Sequence, residues 1–418
     1  MKRTLAVLAV AVGAVAAAAP LMGQETKAAP AKGPVLPGIE VLLQSPPPRL
    51  VGKRLGLITN QTGIDRQGKS DIDLLSKSSQ FKLVALYAAE HGIRGVVPPG
   101  GDVGDEKDPG SGLTVFSIYG GTNAPTTKQL QGVDALVYDM QDLGVRQYTT
   151  ESTLLESMKA AKANGIPFVV LDRPDPVTGE IVEGNILEPK YASFIGIGPV
   201  ASRPGLTVGE LARFYNAELK VGADLIVVPM KGWKRSMWLE DTGLPWVKTS
   251  PNILRAETAV HYPGTVYFEA TNVAESRGSD MPFEQVGAPW MNAVAIAATM
   301  NAMKLPGVRF EARDYPIRQG YGKYPGQTVH GVRLVVTNRA TYRPLRASLL
   351  LMNEIRKAHP KEFQFAQRES EFGQSWGPME RHAGTDKLYK AFVAGTLPQL
   401  LDEWDAEAGR FARARRPY

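Results

Sequence analysis

The sequence predicts an α/β fold: a Rossmann-like, mostly parallel sheet domain followed by a smaller mixed α+β C-terminal domain. Three observations carry this. Short apolar runs alternate with amphipathic stretches through the first half of the chain. Those runs are continuously apolar, as strands buried on both faces by crossover helices must be. Beyond about Lys231 the alternation fades, and Trp, Tyr, Pro and Gly become frequent.

The elements follow in order. Lys2 and Arg3 precede an apolar stretch from Thr4 to Ala19, then polar sequence. That order reads as a signal peptide over residues 1–23, since a membrane span needs ~20 apolar residues. A retained anchor is the alternative. Residues 24–37, rich in Pro and Ala, read as a disordered linker. Residues 38–230 form the Rossmann-like domain and 231–418 the C-terminal domain. Strands are predicted at Arg54–Asn60, Phe81–Ala89, Leu113–Tyr119, Ala135–Asp139, Pro167–Asp172 and Ala223–Met230. Helices are predicted at Asp71–Ser78, Thr126–Val133, Ser152–Asn164 (Ser cap, closing Gly165) and Thr207–Leu219. The last opens with a capping box, Glu210 standing third after Thr207. In the second domain Val266–Glu269, Val308–Ala312 and Val329–Thr337 read as strands, Leu345–Lys357 and Gln399–Arg415 as helices.

Composition narrows the function. The 418 residues include no cysteine, so neither disulfides nor a lipidated cysteine enter the argument. Lys and Arg exceed Asp and Glu by 6, and loss of Lys2 and Arg3 leaves an excess of 4. The basic residues cluster only over 410–416, which reads as a solvated helix end. Nucleic acid is therefore not an expected partner, and no stable membrane insertion is expected after signal cleavage. A mild positive field can still draw anionic ligands.

Open α/β sheets bind ligands beyond the carboxyl ends of their strands. Four predicted strands end there in polar residues: Asn60-Gln61, Glu90-His91, Asp139 to Asp142, and Asp172-Arg173. Glu90 at a strand end can be partly desolvated, which raises a carboxyl pKa toward that of a general acid. Its plain alternative is a loop carboxylate paired with Arg94. Asp139, Gln141 and Asp142, with Arg146 and Tyr148, offer orienting carboxylates beside a basic and aromatic sugar-binding pair. Alternatively, Asp142 caps a turn and Arg146 neutralises it. Glu156, near the predicted start of its helix, suits a carboxylate kept ionised by the helix dipole; an exposed helical Glu is the bland alternative. Arg173 can hold a carboxylate bidentately, or brace an Asp. Glu180 and Glu183 follow in the same stretch.

Other signals are weak. Gly196 to Ala201 imitates a dinucleotide fingerprint, but Pro199 removes a backbone donor. The five histidines lack metalloprotease spacing, no G-x-S-x-G elbow occurs, and no cofactor or metal is expected. A divalent ion on Glu90, Asp139 and Asp142 is the alternative those carboxylates leave open. Trp233, Trp238, Trp246 and Trp290 suit either sugar stacking or packing.

Nine strings occur together in one order: GLITNQTG (56–63), EHGIRG (90–95), DMQDLGVRQYT (139–149), LDRPDP (171–176), VEG (182–184), GLTVGELARFYN (205–216), MKGWKRSMWLEDTGLPWVKTSPNI (230–253), YPGTVYFEATN (262–272) and RGSDMPFEQVGAPW (277–290). Through them the chain resembles the exo-β-N-acetylmuramidase NamZ family, from about Pro37 to the C-terminus. The resemblance implies an exported glycosidase, periplasmic or secreted. It would release N-acetylmuramic acid from the non-reducing end of peptidoglycan fragments, in a cleft between the domains. It implies Glu90 as general acid, with a second glutamate at Glu156 or Glu183. Arg94, Arg146 and Arg173 at the rim, and Arg277 from the second domain, are candidates to hold the lactyl carboxylate. Asn60, Gln61 and His91 are candidates for hydroxyl and acetamido groups, with Asp139, Asp142, Tyr148 and Asp172 beside them. Ala89, Thr150, Asp175, Ser276 and Ser279 depart from the family's usual Pro, aromatic, Asn, and Gly or Thr. A non-catalytic peptidoglycan-binding protein of the same fold is the competing reading, and an exported amidase acting on the peptide a third.

Overall fold

The computed structural model describes residues 35–94, 106–120, 123–366 and 376–418. The signal peptide and linker residues 24–34 lie outside them. The rest of the expected linker is ordered: Val35 is buried, and Leu36 pairs with Lys231 through two backbone hydrogen bonds of 2.9 and 3.1 Å.

In chain order the first half contains α1 (Gly38–Gln44), β1 (Arg54–Thr59), α2 (Asp71–Ser76), β2 (Lys82–Ala88), β3 (Glu106–Lys107), β4 (Thr114–Ser117), β5 (Ala135–Asp139), α3 (Thr149–Ala163), β6 (Phe168–Leu171), β7 (Glu183–Ile186), β8 (Ala201–Arg203), α4 (Val208–Glu218) and β9 (Leu225–Val228). The main sheet runs β3-β4-β2-β1-β5-β6-β9. Its pairs are parallel except the edge pair β3–β4. Side chains alternate across a strand, and here both faces are apolar. On β5, Ala135 and Val137 join one buried cluster while Leu136 and Tyr138 join the other. On β6, Val169 and Leu171 divide from Phe168 and Val170 in the same way. Ile39 and Leu42 of α1 and Ile72 and Leu75 of α2 cover one face. Leu154, Leu155 and Met158 of α3 and Leu211 and Phe214 of α4 cover the other.

The second half holds α5 (Leu239–Thr242), α6 (Ala256–Thr265), β10 (Gln285–Ala288), α7 (Ala293–Ala302), β11 (Val308–Pro316), β12 (Thr328–Val336), α8 (Pro344–Ala358), α9 (Pro378–Ala383), α10 (Lys387–Ala394) and α11 (Leu397–Ala414). Its sheet is antiparallel, in the order β10-β12-β11. Leu143, Val145, Tyr148 and Val177 of the first half are packed into its core. Helix α11 returns the chain to the first half. Glu407 accepts a 3.0 Å hydrogen bond from Ile186 N–H, Arg415 donates to the carbonyls of Pro204 (2.7 Å) and Gly179 (2.6 Å), and Phe411 joins the core against α4.

Three elements differ from the sequence reading. Residues 126–133 form turns rather than a helix: Gln129 bonds back to Thr126, and Gly132 takes a left-handed φ of 82°. Val266–Ala270 is a 3-10 helix continuing α6, not a strand; a buried apolar run this short carries no period that separates the two. Helix α3 begins at Thr149, three residues before Ser152, whose hydroxyl instead donates to the Phe194 carbonyl at 2.7 Å. The capping box of α4 forms as expected: Thr207 accepts from Glu210 N–H at 3.2 Å and Glu210 accepts from Thr207 N–H at 3.0 Å. Thr207 also donates to Asp172 at 3.1 Å. Replacing Thr207 by Ala should lower unfolding stability by about 1–2 kcal/mol with an unchanged urea m-value. An unchanged midpoint would remove the cap from the stability argument.

Candidate active site

Strand β2 ends at Ala88, and the chain then turns sharply. His91 and Gly92 both take left-handed φ angles, of 72° and 73°, and Gly92 N–H closes on the Ala89 carbonyl at 3.1 Å. A positive φ at a non-glycine residue is uncommon and tends to gather at functional sites. The turn delivers Glu90 and His91 to a cavity of about 210 Å³. Tyr148 and Thr149, at the start of α3, line it from the same half. Asn252, Tyr262, Glu269, Arg277, Phe283 and His382 close it from the other.

The two glutamates of this cavity have different surroundings. Glu90 is held by hydroxyls: Tyr119 donates to one carboxylate oxygen at 3.1 Å and Thr149 to the other at 2.7 Å. Burial, with the Glu90 charge adding to it, pushes the Tyr119 phenol up to about 12, so it remains a donor at any physiological pH. Glu269 is held by charge. Arg277 donates to it, and His382 Nε2 lies 3.4 Å away. Arg277 also donates to Glu275 at 2.9 Å, and Lys323 reaches the other Glu275 oxygen at 3.0 Å. Burial alone would push the Glu275 carboxyl up, but Lys323 and Arg277 outweigh it and hold it down to about 2. Burial likewise works against the Arg277 charge, yet Glu269 and Glu275 raise its pKa above the ordinary value. The Phe283 ring lies 5.0 Å from its guanidinium. Burial pushes His382 down to about 4, so its imidazole is neutral near pH 7. The Tyr148–Tyr262–Phe283 run of edge-on contacts, 6.0 and 4.8 Å between ring centroids, supplies an aromatic wall.

Residues 55–257 match the family described as exo-beta-N-acetylmuramidase NamZ, N-terminal, and residues 260–418 match its C-terminal counterpart. The chain belongs to the NamZ family. The peptidoglycan beta-N-acetylmuramidase NamZ of Bacillus subtilis (strain 168) is 40% identical over 396 residues, covering 94% of this chain and 93% of that protein. A crystal structure of a DUF1343 family protein from Bacteroides fragilis NCTC 9343 superposes with a TM-score of 0.83 at 33% identity, covering 93% of this chain and 99% of that one. A second DUF1343 structure from the same organism gives 0.71 at 25% identity, over 92% and 98%.

Within this family member the expected site residues separate into two groups. Glu90, His91, Tyr148 and Arg277 line the cavity. The others do not, and their contacts say why. Arg146, expected at the sugar, is 1% exposed and spends its guanidinium on the carbonyls of Asn185 (2.7 Å), Val200 (2.9 Å) and Ala383 (2.8 Å). Arg173 is buried in an ion pair with Asp139, so it braces the sheet edge. Asp142 accepts from Gly144 N–H at 2.7 Å and from Thr150. Asp172 caps α4 through Gly209 N–H at 2.8 Å. Glu183 is buried against Arg203 at 3.1 Å, and Glu156 sits mid-helix, pairing at 2.8 Å with Lys159. Neither is placed to be the second glutamate of the cavity. Arg94 pairs with the buried Asp108. Asn60 accepts from Thr62 N–H at 2.9 Å, and Gln61 donates to the Lys248 carbonyl at 2.7 Å. Glu90, Asp139 and Asp142 therefore do not converge, and among the described residues no group of three or more His, Asp or Glu is placed to hold a metal ion. Sequence reasoning missed Glu269, His382, Asn252 and Thr149. Glu269 lay in the string YPGTVYFEATN, but nothing local sets it apart from an ordinary polar residue at a strand end.

Behind the cavity the structure buries several acids. Burial pushes Asp142 up to about 6 and Asp175 up to about 7. A carboxyl raised above its unfolded pKa binds more protons in the folded state. Its protonated form thus favours folding at low pH, and stability falls as pH rises through the folded value. Asp175 accepts from Val177 N–H at 2.9 Å, and Asn can keep that bond without the charge. Wild type should lose stability between pH 5 and pH 8, and Asp175→Asn should reduce that loss by roughly 1–3 kcal/mol in urea unfolding. Identical pH slopes for the two proteins would show that Asp175 does not carry the effect.

Proposed function

We propose that this chain is an exported exo-β-N-acetylmuramidase that releases N-acetylmuramic acid from the non-reducing end of peptidoglycan fragments, with Glu90 as proton donor. The carrying observation is Glu90 itself, fixed by two hydroxyls in a cavity between the two halves of the chain. The family that residues 55–257 match is described as an exo-beta-N-acetylmuramidase, which supports exo action. The relative from Bacillus subtilis, 40% identical over most of the chain, is named a peptidoglycan beta-N-acetylmuramidase.

The chemistry asked of Glu90 is protonation of the leaving glycosidic oxygen as its bond to the anomeric carbon breaks. Tyr119 and Thr149 fix the direction of the carboxyl, and orientation within a few tenths of an ångström is what such a transfer needs. His91 and Asn252 offer hydrogen-bonding groups, and Tyr148 and Tyr262 an apolar face for the ring. Both sides of Arg277 are occupied by Glu269 and Glu275. The lactyl carboxylate is thus left mainly to neutral donors, with Arg277 acting at longer range. The N-terminal pattern, Lys2 and Arg3 before the apolar stretch to Ala19, supports export to the periplasm or medium. Among the described residues no helix is long and apolar enough to cross a membrane.

Wild-type protein incubated with a MurNAc–GlcNAc disaccharide should release free N-acetylmuramic acid, seen by mass analysis. Glu90→Gln should lower kcat by about 100- to 10,000-fold with an unchanged melting temperature. Full turnover in that variant would overturn the assignment. Saturable binding of muropeptides by wild type, with no sugar released, would favour a non-catalytic binding protein.

A further inference from the structure

We propose that Glu269 is the second catalytic carboxylate: the anion, anchored by Arg277 and His382, that faces the positive charge developing at the anomeric carbon while Glu90 protonates the leaving oxygen. The inference rests on the glycosidase reading above and adds the residue that reading lacks.

Glycoside hydrolysis passes through a cation-like state, so a site needs an anion as well as an acid; water supplies the new oxygen at the anomeric carbon, and the proton it loses replaces the one Glu90 gave to the leaving oxygen. Glu90 and Glu269 are the two carboxyl groups among the residues lining the cavity. They come from different halves of the chain, one beyond β2 and one in the 3-10 helix Val266–Ala270. The partners described for the two differ in kind. Hydroxyls meet Glu90; a guanidinium and an imidazole meet Glu269.

A purely structural role for Glu269 fits the contacts poorly. Arg277 already has a sealed counter-ion in Glu275, whose side chain is 3% exposed, whereas that of Glu269 remains 24% exposed and lines the cavity. Arg277 cannot swing away from its task. Glu275 holds its other side, Lys323 holds Glu275, and Phe283 lies under the guanidinium. On the remaining side His382 stands on α9, which packs against the helical turn carrying Glu269. Its ring is neutral near pH 7, and its Nε2 stands 3.4 Å from a Glu269 oxygen. Its Nδ1 is buried and has no hydrogen-bond partner among the described residues. Such preorganised charge costs little rearrangement when the transition state forms.

The test compares two substrates: the MurNAc–GlcNAc disaccharide, whose leaving oxygen needs a proton, and a 4-nitrophenyl MurNAc glycoside, whose leaving group departs largely without one. Glu90→Gln should lose at least about 100-fold in kcat on the first but less than about 10-fold on the second. Glu269→Gln should lose at least about 100-fold on both, while its affinity for free N-acetylmuramic acid stays within about 5-fold of wild type and its melting temperature is unchanged. Should Glu269→Gln fail to fold, Glu269→Asp decides: it keeps the charge and the Arg277 pair but withdraws the carboxylate by one methylene, and should lose at least about 10-fold on both substrates. Retention of more than a tenth of wild-type kcat by Glu269→Gln, unchanged kcat in Glu269→Asp, or a substrate split like that of Glu90→Gln would overturn this proposal alone. Wild type releasing no sugar from either substrate would overturn the glycosidase reading with it.

Discussion

A charge taken out of water must meet a counter-charge, collect hydrogen bonds, or hold a proton, and along the carboxyl edge of this sheet that requirement sorts the polar residues by role. Asp139 takes Arg173, Glu183 takes Arg203, and Asp172 takes the amino end of α4. Burial still pushes all three up, Asp172 to about 7, as it does Asp142 and Asp175, which lack a direct cationic partner. Each settled group is thereby withdrawn from ligand chemistry. Among the described residues, Glu90 and Glu269 are the carboxyl groups that line the cavity.

The same requirement binds the two halves together. Arg146 and Arg415 carry their charge inward and satisfy it on main-chain carbonyls of segments far away in sequence, from Gly179 to Ala383. Leu143, Val145 and Tyr148 of the first half sit in the core of the second. Helix α11, last in the chain, packs against β7. The cavity walls are therefore set by one connected framework. Groups such as Glu90 and Glu269, from elements about 180 residues apart, can then hold a fixed separation, which catalysis by paired carboxyl groups demands.

The positions at which this chain departs from the usual family pattern lie outside the cavity lining. Thr150 donates to Asp142, Asp175 sits in the buried acid cluster, and Ser276, at a φ of 67°, donates to the Gln285 carbonyl at 2.8 Å. These residues act on packing and on charge burial behind the site rather than on the sugar. Asp175 in particular places a titratable group where an amide would be indifferent to pH.

The alternation of apolar runs with amphipathic stretches determined the parallel sheet, because strands covered on both faces admit few polar residues, and the capping box at Thr207 and Glu210 was written in local sequence. So was the delivery of Glu90 to the sheet's carboxyl edge, since a polar pair after an apolar run has nowhere else to go. Local sequence also carried nine ordered strings, enough for the family. It could not say which polar residue pairs with which, because ion pairs such as Arg173–Asp139 and hydrogen bonds such as Arg146 to Ala383 join positions 34 and 237 residues apart. Arg146 and Arg173 read as ligands until their partners were in view. Glu269 read as the end of a strand until the fold placed it across from Glu90. Long-range pairing of buried charge is a tertiary property, and it alone decided which glutamates, of the several that looked suitable, share a cavity.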